Sequence, residues 1–326
     1  MIAPSLCGGR QRASVLAGTV SHVVAKMQSM LARLLQAFIF CTIGLAMACF
    51  WMLGGRSSPL AFAAVFFITF FYVPFLGLQF LAVQRLNRND PSPPASWRQL
   101  MRAWWGEVLL VPPIFFWRLP FARNRIPDAA ASAFAHRGKR GVVFIHGFIC
   151  NRGFWTPWLS HLKKHRRAFI AINLEPVFGS INDYALPIDE AVRQVTLDTG
   201  LPPLVVCHSM GGLAVRAWLR HANADDRVHH IITIGSPHHG TWFGRFSFMT
   251  NARQMCLSNA WLGQLAADEP PQRYKLFTCY YSNCDNIVLP ASSATLAGAD
   301  NRLIAGAAHV ALAFDQQVMR ESLARI

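Results

Sequence analysis

Leu204-Val205-Val206-Cys207-His208-Ser209-Met210-Gly211-Gly212 is the stretch on which the reading of this chain turns. Its first four residues are apolar and β-branched enough to make a short buried strand, and 210–221 reads as a helix. Ser209 falls at the junction. A serine on a tight strand-to-helix turn is lifted clear of the sheet, and the helix N-terminus behind it stabilises developing negative charge. The turn crowds the residues two before and two after the serine, which must therefore be small. Cys207 and Gly211 satisfy that demand.

Outward from this turn, strand and helix patterns alternate. Residues 141–145 and 168–173 read as strands before it, and 228–234, 274–281 and 302–305 as strands after it. Helical segments are expected at 154–165, 183–198 and 315–325. Such alternation predicts a mostly parallel α/β sheet flanked by helices, spanning 130–326.

Four separated motifs make the reading specific. Cys207-His208-Ser209-Met210-Gly211 resembles the G-x-S-x-G nucleophile elbow of α/β-hydrolases, with Cys in place of the first glycine. His146-Gly147-Phe148 directly follows the first strand, and Gly235-Ser236-Pro237-His238-His239-Gly240-Thr241 follows the fourth. Both are similar to segments of bacterial triacylglycerol lipases and carboxylesterases. The fourth is His309 with the turn before it, Leu303-Ile304-Ala305-Gly306. The resemblance covers 141–326 and is silent about the first 130 residues.

The resemblance implies an α/β-hydrolase fold and a serine nucleophile, Ser209, with His309 as general base and Asp285 as the acid that orients it. The chain order Ser, acid, His fits. Asp300 is the rival acid, but it precedes the last strand and reads as a turn residue. The backbone amides of Phe148 and Met210 would form an oxyanion hole. His146, His208 and His238 are expected to shape the pocket. No cofactor is implied, and no H-E-x-x-H or Cys/His ligand spacing supports a metal. The expected substrate is a carboxylic ester, lipid-like if the chain is held at a bilayer. Acyl transfer or thioester hydrolysis would use the same triad, and a degenerate hydrolase serving as a membrane scaffold is the non-enzymatic alternative. The aromatic segment 242–265 reads equally as a lid or as a packed helix.

Composition adds the membrane. The chain is 53% hydrophobic and only 14% charged, whereas a soluble domain carries about a quarter charged residues. Two uncharged runs, 34–53 and 60–83, are each long enough to cross a hydrocarbon core of about 30 Å as a helix. Gly54-Gly55-Arg56-Ser57-Ser58-Pro59 joins them, so a transmembrane hairpin of two helices is expected at 34–83. Arg10, Arg12, Lys26 and Arg33 precede it, and Arg85, Arg88, Arg98 and Arg102 follow. By the positive-inside rule the termini, and with them the hydrolase domain, belong in the cytoplasm of a bacterial-type inner membrane. Residues 1–33 form a cytoplasmic segment, with Met27 or Met30 as an alternative start. Ala46-Met47-Ala48 resembles a signal-peptidase site, but the apolar run continues past it. Residues 84–129 read as a Trp/Arg-rich juxtamembrane connector, or as a packed subdomain. The net charge of +15 fits an anionic membrane surface. Nucleic acid is not expected as a partner, because no zinc-finger or RNP pattern accompanies that charge. Eight scattered cysteines suit reduced, buried thiols.

Overall fold

The computed structural model describes residues 30–129 and 136–326. Expectations for Arg10, Arg12, Lys26, Met27 and a boundary at Ala130 lie outside the described residues.

Six strands form one sheet: β1 (Val142–Ile145), β2 (Phe169–Ala171), β3 (Leu204–His208), β4 (His230–Ile234), β5 (Phe277–Tyr281) and β6 (Asp300–Leu303). They lie in the order β2-β1-β3-β4-β5-β6, every pair parallel. The helices are α1 (Met30–Met52), α2 (Pro59–Phe70), α3 (Tyr72–Leu86), α4 (Trp97–Val111), α5 (Leu119–Phe121), α6 (Thr156–Lys164), α7 (Ala185–Thr199), α8 (Met210–Ala222), α9 (Thr250–Gln254), α10 (Ala260–Ala267), α11 (His309–Leu312) and α12 (Gln316–Leu323).

The strands are apolar on both faces because both faces are covered. Val143, Ile145, Val205, Cys207, Ile231, Phe277 and Cys279 point to one side, where α7 and α8 bring Ile188, Val192, Leu213 and Trp218. Val142, Phe144, Phe169, Leu204, Val206, Ile232 and Tyr280 point to the other, against Trp155, Trp158, Leu162 and Val318. Alternation with period two therefore persists inside strands that look uniformly hydrophobic. Sequence and structure agree on β1 and β3 to within a residue. β6 starts two residues earlier than expected, so Asp300 is a strand residue rather than a turn residue.

Residues 30–129 depart furthest from the expected picture. α1 is long and apolar enough to cross a membrane, with a mean hydropathy of 2.0 and none of its apolar window buried. The second apolar run is not one straight helix: α2 and α3 meet at a 48° bend. Pro74 supplies the cause. Its ring cannot donate to the Phe70 carbonyl and clashes with it, so the helix breaks one turn upstream. Beyond the bend, α3 buries Leu76, Phe80 and Val83.

The connector is ordered and packed. Ser96 and Gln99 form a capping box at the start of α4. Pro112-Pro113 widen its end into a π-helical turn, Pro112–Arg118. Phe80, Val83, Leu100 and Ala103 form a cluster with Cys284, Leu289 and Ala308 of the hydrolase domain. Arg152 reaches back to donate to the Ile126 carbonyl (2.9 Å) and to Asp128 (2.6 Å). Residues 84–129 thus contact the hydrolase domain at both ends. All the described cysteines are free.

Candidate active site

In a parallel sheet the loops after the strands gather at one edge. Here the loops after β1, β3, β4, β5 and β6 carry Phe148, Ser209, Gly235, Asp285 and His309. Ser209 has φ 54° and ψ −126°, a positive-φ conformation outside the left-handed helical region that a non-glycine residue adopts only when its surroundings impose it. The surroundings are identifiable. The Ser209 N–H donates to the Ile234 carbonyl of β4 (2.9 Å), and the helix α8 starts immediately afterward.

Small residues around this turn are demanded by neighbouring chains more than by the turn itself. A Cβ on Gly211 would come 2.5 Å from the Ile145 carbonyl oxygen of β1, and one on Gly147 would come 2.8 Å from Ser209 Cβ. Cys207, by contrast, points into the core, where its side chain is fully buried. That explains how it replaces a glycine. Burial also drives its thiol pKa well up, leaving it an inert small hydrophobe.

His309 Nδ1 donates to Asp285 Oδ2 at 2.9 Å, both side chains being buried. Asp285 Oδ1 accepts from the Ile287 and Val288 amides, each at 2.8 Å, so the carboxylate is held from both sides. The proton on Nδ1 leaves Nε2 with a lone pair, the form a general base requires. Burial works against a charged imidazole, but the Asp285 charge, its hydrogen bond and the charge of Glu107 outweigh it. His309 is raised above its ordinary value of 6.5. Gly235 ties this pair to the serine turn. It follows Ile234, and a Cβ on it would sit 3.0 Å from Asp285 Oδ2 and 3.2 Å from His309 Nδ1.

The Phe148 and Met210 amides have no backbone acceptor among the described residues. Met210 is the first residue of α8, where an N–H has no partner within the helix. Met210 directly follows Ser209, and Phe148 follows Gly147, where an added Cβ would sit 2.8 Å from Ser209 Cβ.

The expected pocket-shaping histidines separate into two kinds. His146 accepts from the Leu174 N–H at Nε2 (2.9 Å) and donates from Nδ1 to the Gly147 carbonyl (2.8 Å). It thereby fixes the loop carrying Phe148, and burial holds it neutral, with a pKa of about 4. His208 stacks on Phe154 and donates from Nε2 to the His309 carbonyl (3.2 Å). Burial lowers its pKa too. His238 turns toward the core. It is 2% exposed, bonded to Thr233 Oγ1 (3.0 Å), near Cys279 Sγ and edge-on to Phe277 in the core under the sheet. Asp300 lies at the start of β6, at the opposite edge of the sheet, paired with Arg302 at 2.7 Å.

The segment 242–265 divides. Leu262 and Leu265 are buried core residues, and Trp242 and Phe243 pack beside α3 and α4. Phe246 and Phe248 are exposed, the latter at 95%. An apolar cleft between α1 and α2, lined by Phe38, Met47 and Phe62, includes none of the site residues.

Three residues near the site were not expected from the sequence. Asn286 Oδ1 accepts from the His309 N–H (3.1 Å), and Gln79 Oε1 accepts from Asn286 Nδ2 (2.7 Å). Glu107 accepts from the Val310 N–H (3.0 Å) and the Ala311 N–H (3.3 Å). Glu107 left a trace in the sequence. It lies seven residues after Leu100 and four after Ala103, so a charge sits on the apolar stripe of an amphipathic helix. Among the described residues no cluster of ligating side chains could hold a metal ion.

No curated protein matches the chain. Among solved structures, Bacillus licheniformis lipase BlEst2 in its mature form is 18% identical, with a TM-score of 0.49 over 56% of this chain and 90% of that one. Aspergillus fumigatus lipase B is 17% identical, with a TM-score of 0.48 over 58% of this chain and 53% of that one. Bacillus subtilis carboxylesterase CesB is 14% identical, with a TM-score of 0.37 over 59% and 85%. Residues 142–321, from the first strand into the last helix, match the alpha/beta hydrolase family. That match spans more than half of the chain, which therefore belongs to the alpha/beta hydrolase family.

Proposed function

We propose that the chain is a membrane-anchored serine hydrolase that cleaves carboxylic esters, lipid-like ones in particular, through an acyl-enzyme on Ser209. The observation that carries the reading is the strained Ser209 turn held beside a buried His309–Asp285 pair with a 2.9 Å hydrogen bond. His309 Nε2 would take the Ser209 hydroxyl proton as Oγ attacks the ester carbonyl. The Phe148 and Met210 amides would hold the resulting oxyanion. Collapse breaks the ester C–O bond, and the alcohol leaves with the proton from His309. Water, deprotonated by the same imidazole, then releases the acid and frees Ser209.

Support for the membrane comes from α1, whose exposed aromatic and aliphatic side chains include Phe38, Phe40 and Trp51. A cation-rich flank on each outer side of 34–83 favours a cytoplasmic hydrolase domain, with α2–α3 as a bent return segment.

A fluorophosphonate probe and a panel of p-nitrophenyl esters test the chemistry. Wild-type protein is expected to be labelled and active, and Ser209→Ala neither. Activity that survives in Ser209→Ala and is lost to chelators would exclude the serine mechanism. For the topology, a reporter active only in the cytoplasm and fused after Ile326 is expected to be active. Digestion of the hydrolase domain by protease outside intact spheroplasts would reverse the orientation.

A further inference from the structure

His309 is held by its backbone as well as by its ring. It opens α11, a helix of four residues whose leading N–H groups have no acceptor inside the helix. Side chains supply those acceptors: Asn286 for His309 at 3.1 Å, and Glu107 for both Val310 at 3.0 Å and Ala311 at 3.3 Å. On the other side of the peptide, His208 donates to the His309 carbonyl at 3.2 Å. Two of these supports lead out of the hydrolase domain. Glu107 belongs to α4 and is only 2% exposed, and Asn286 is itself bonded to Gln79 of α3.

A carboxylate spanning two N–H groups at a helix start is electrostatically well placed, because the helix dipole favours negative charge there. It is also costly to bury. Burial pushes the Glu107 carboxyl up to about 7, against the Val310 amide, the His309 charge and the Ala311 amide, which favour the anion. A buried charged residue aimed at the segment that carries the base is a poor choice for packing alone.

We propose that Glu107 is a positioning residue for His309: from α4 it clamps the first turn of α11, and its ionised form adds a second negative charge, after Asp285, to the surroundings of the imidazole. Gln79 steadies the same turn through Asn286. The role rests on the serine-hydrolase reading of the site. Asp285 from the loop after β5 and His208 from β3 are the titratable groups in contact with the imidazole, and the charge of Glu107 acts on it from α4.

The test uses the full-length chain in detergent with a short, water-soluble ester. Glu107→Gln keeps the shape but turns an NH2 toward an N–H that needs an acceptor. Its kcat is expected to fall on the order of 10²-fold, the cost of misplacing a reacting group by about 1 Å, while KM stays put. Removing an anion beside the imidazole disfavours its charged form, so the acid limb of kcat/KM moves to lower pH. Leu100→Ala, on the same buried face of α4, is the packing control: it should lower the melting temperature and leave the acid limb in place. A folded Glu107→Gln with an unmoved acid limb, or one whose kcat falls only as far as that of Leu100→Ala, overturns the proposal. Should Glu107→Gln not fold, Glu107→Asp carries the test. It retains the charge one methylene short, so kcat should fall with the limb unmoved, and wild-type kcat would refute the clamp. Absence of fluorophosphonate labelling in the wild type would instead sink the serine-hydrolase reading itself, and this role with it.

Discussion

The two apolar segments on either side of Gly54-Gly55-Arg56 look alike in sequence and are used differently. α1 keeps its apolar window unburied, and its contacts with the rest of the chain beyond the hairpin fall in its N-terminal half, at Leu31, Leu35, Gln36 and Phe40. The second segment bends by 48°, and its later half buries Leu76, Phe80 and Val83 while Gln79 reaches Asn286. Hydropathy records only a preference for non-aqueous surroundings. In the second segment a helix-breaking proline and a glutamine mark the half whose surroundings are protein.

The sharpest way to break this contrast is deletion. A chain lacking residues 1–54 retains α2 to α4 and is expected to keep Ser209 reactive toward a fluorophosphonate. A chain lacking residues 1–135 loses Phe80, Val83, Leu100 and Ala103 from a shared core. At about 1.5–3 kcal/mol per large apolar side chain, that loss approaches the whole net stability of a domain, about 5–15 kcal/mol. Labelling should disappear. A labelled, soluble 136–326 fragment would show that the N-terminal block is an accessory.

Within the site, Asp285→Asn is expected to lower kcat at least ~10³-fold, because the triad acts as a unit. Asp300→Asn, at the far edge of the sheet, should stay within about threefold of wild type under the same principle. The reverse order in ester kinetics would reassign the acid. In the paired segments, Phe80→Ala should cost about 3–5 kcal/mol in detergent unfolding. Phe67→Ala, exposed on α2, should stay within about 0.5 kcal/mol. Equal losses would mean that α2 is packed against protein. The smallest effect lies in pH. His309 must be neutral to act as a base, and its pKa is raised. Activity should therefore fall on the acid side with a midpoint above 6.5, and a kcat/KM profile centred lower would contradict the charge arrangement.

The hydrolase half was legible because its constraints are local. Strand runs, the Ser209 turn and the His-Gly-Phe loop each state their geometry within a few residues. Asp285 and His309 pair in the structure, and Ser209 lies on a loop at the same sheet edge, because parallel strands deliver their following loops to one edge. The surroundings of His238 were hidden for the converse reason: adjacency to Pro237 and His239 in sequence says nothing about which way a ring turns. Glu107, Gln79 and Asn286 were invisible as a set because nothing short-range links them; α4 and α11 lie some two hundred residues apart in the chain. The break at Pro74 was in plain view, but a hydropathy window averages over a single proline.

The crowding at Gly235 has a consequence for anyone who would diversify this protein. A methyl group there, on a backbone already at positive φ, would press against both the carboxylate and the imidazole, so a strict requirement at the site falls on a residue with no functional group to mutate. Alanine scanning, which treats glycine as a near-neutral starting point, would report such a position as a chemical participant. A variant library should therefore hold Gly147, Gly211 and Gly235 constant and spend its diversity on the exposed Phe248 and Met249.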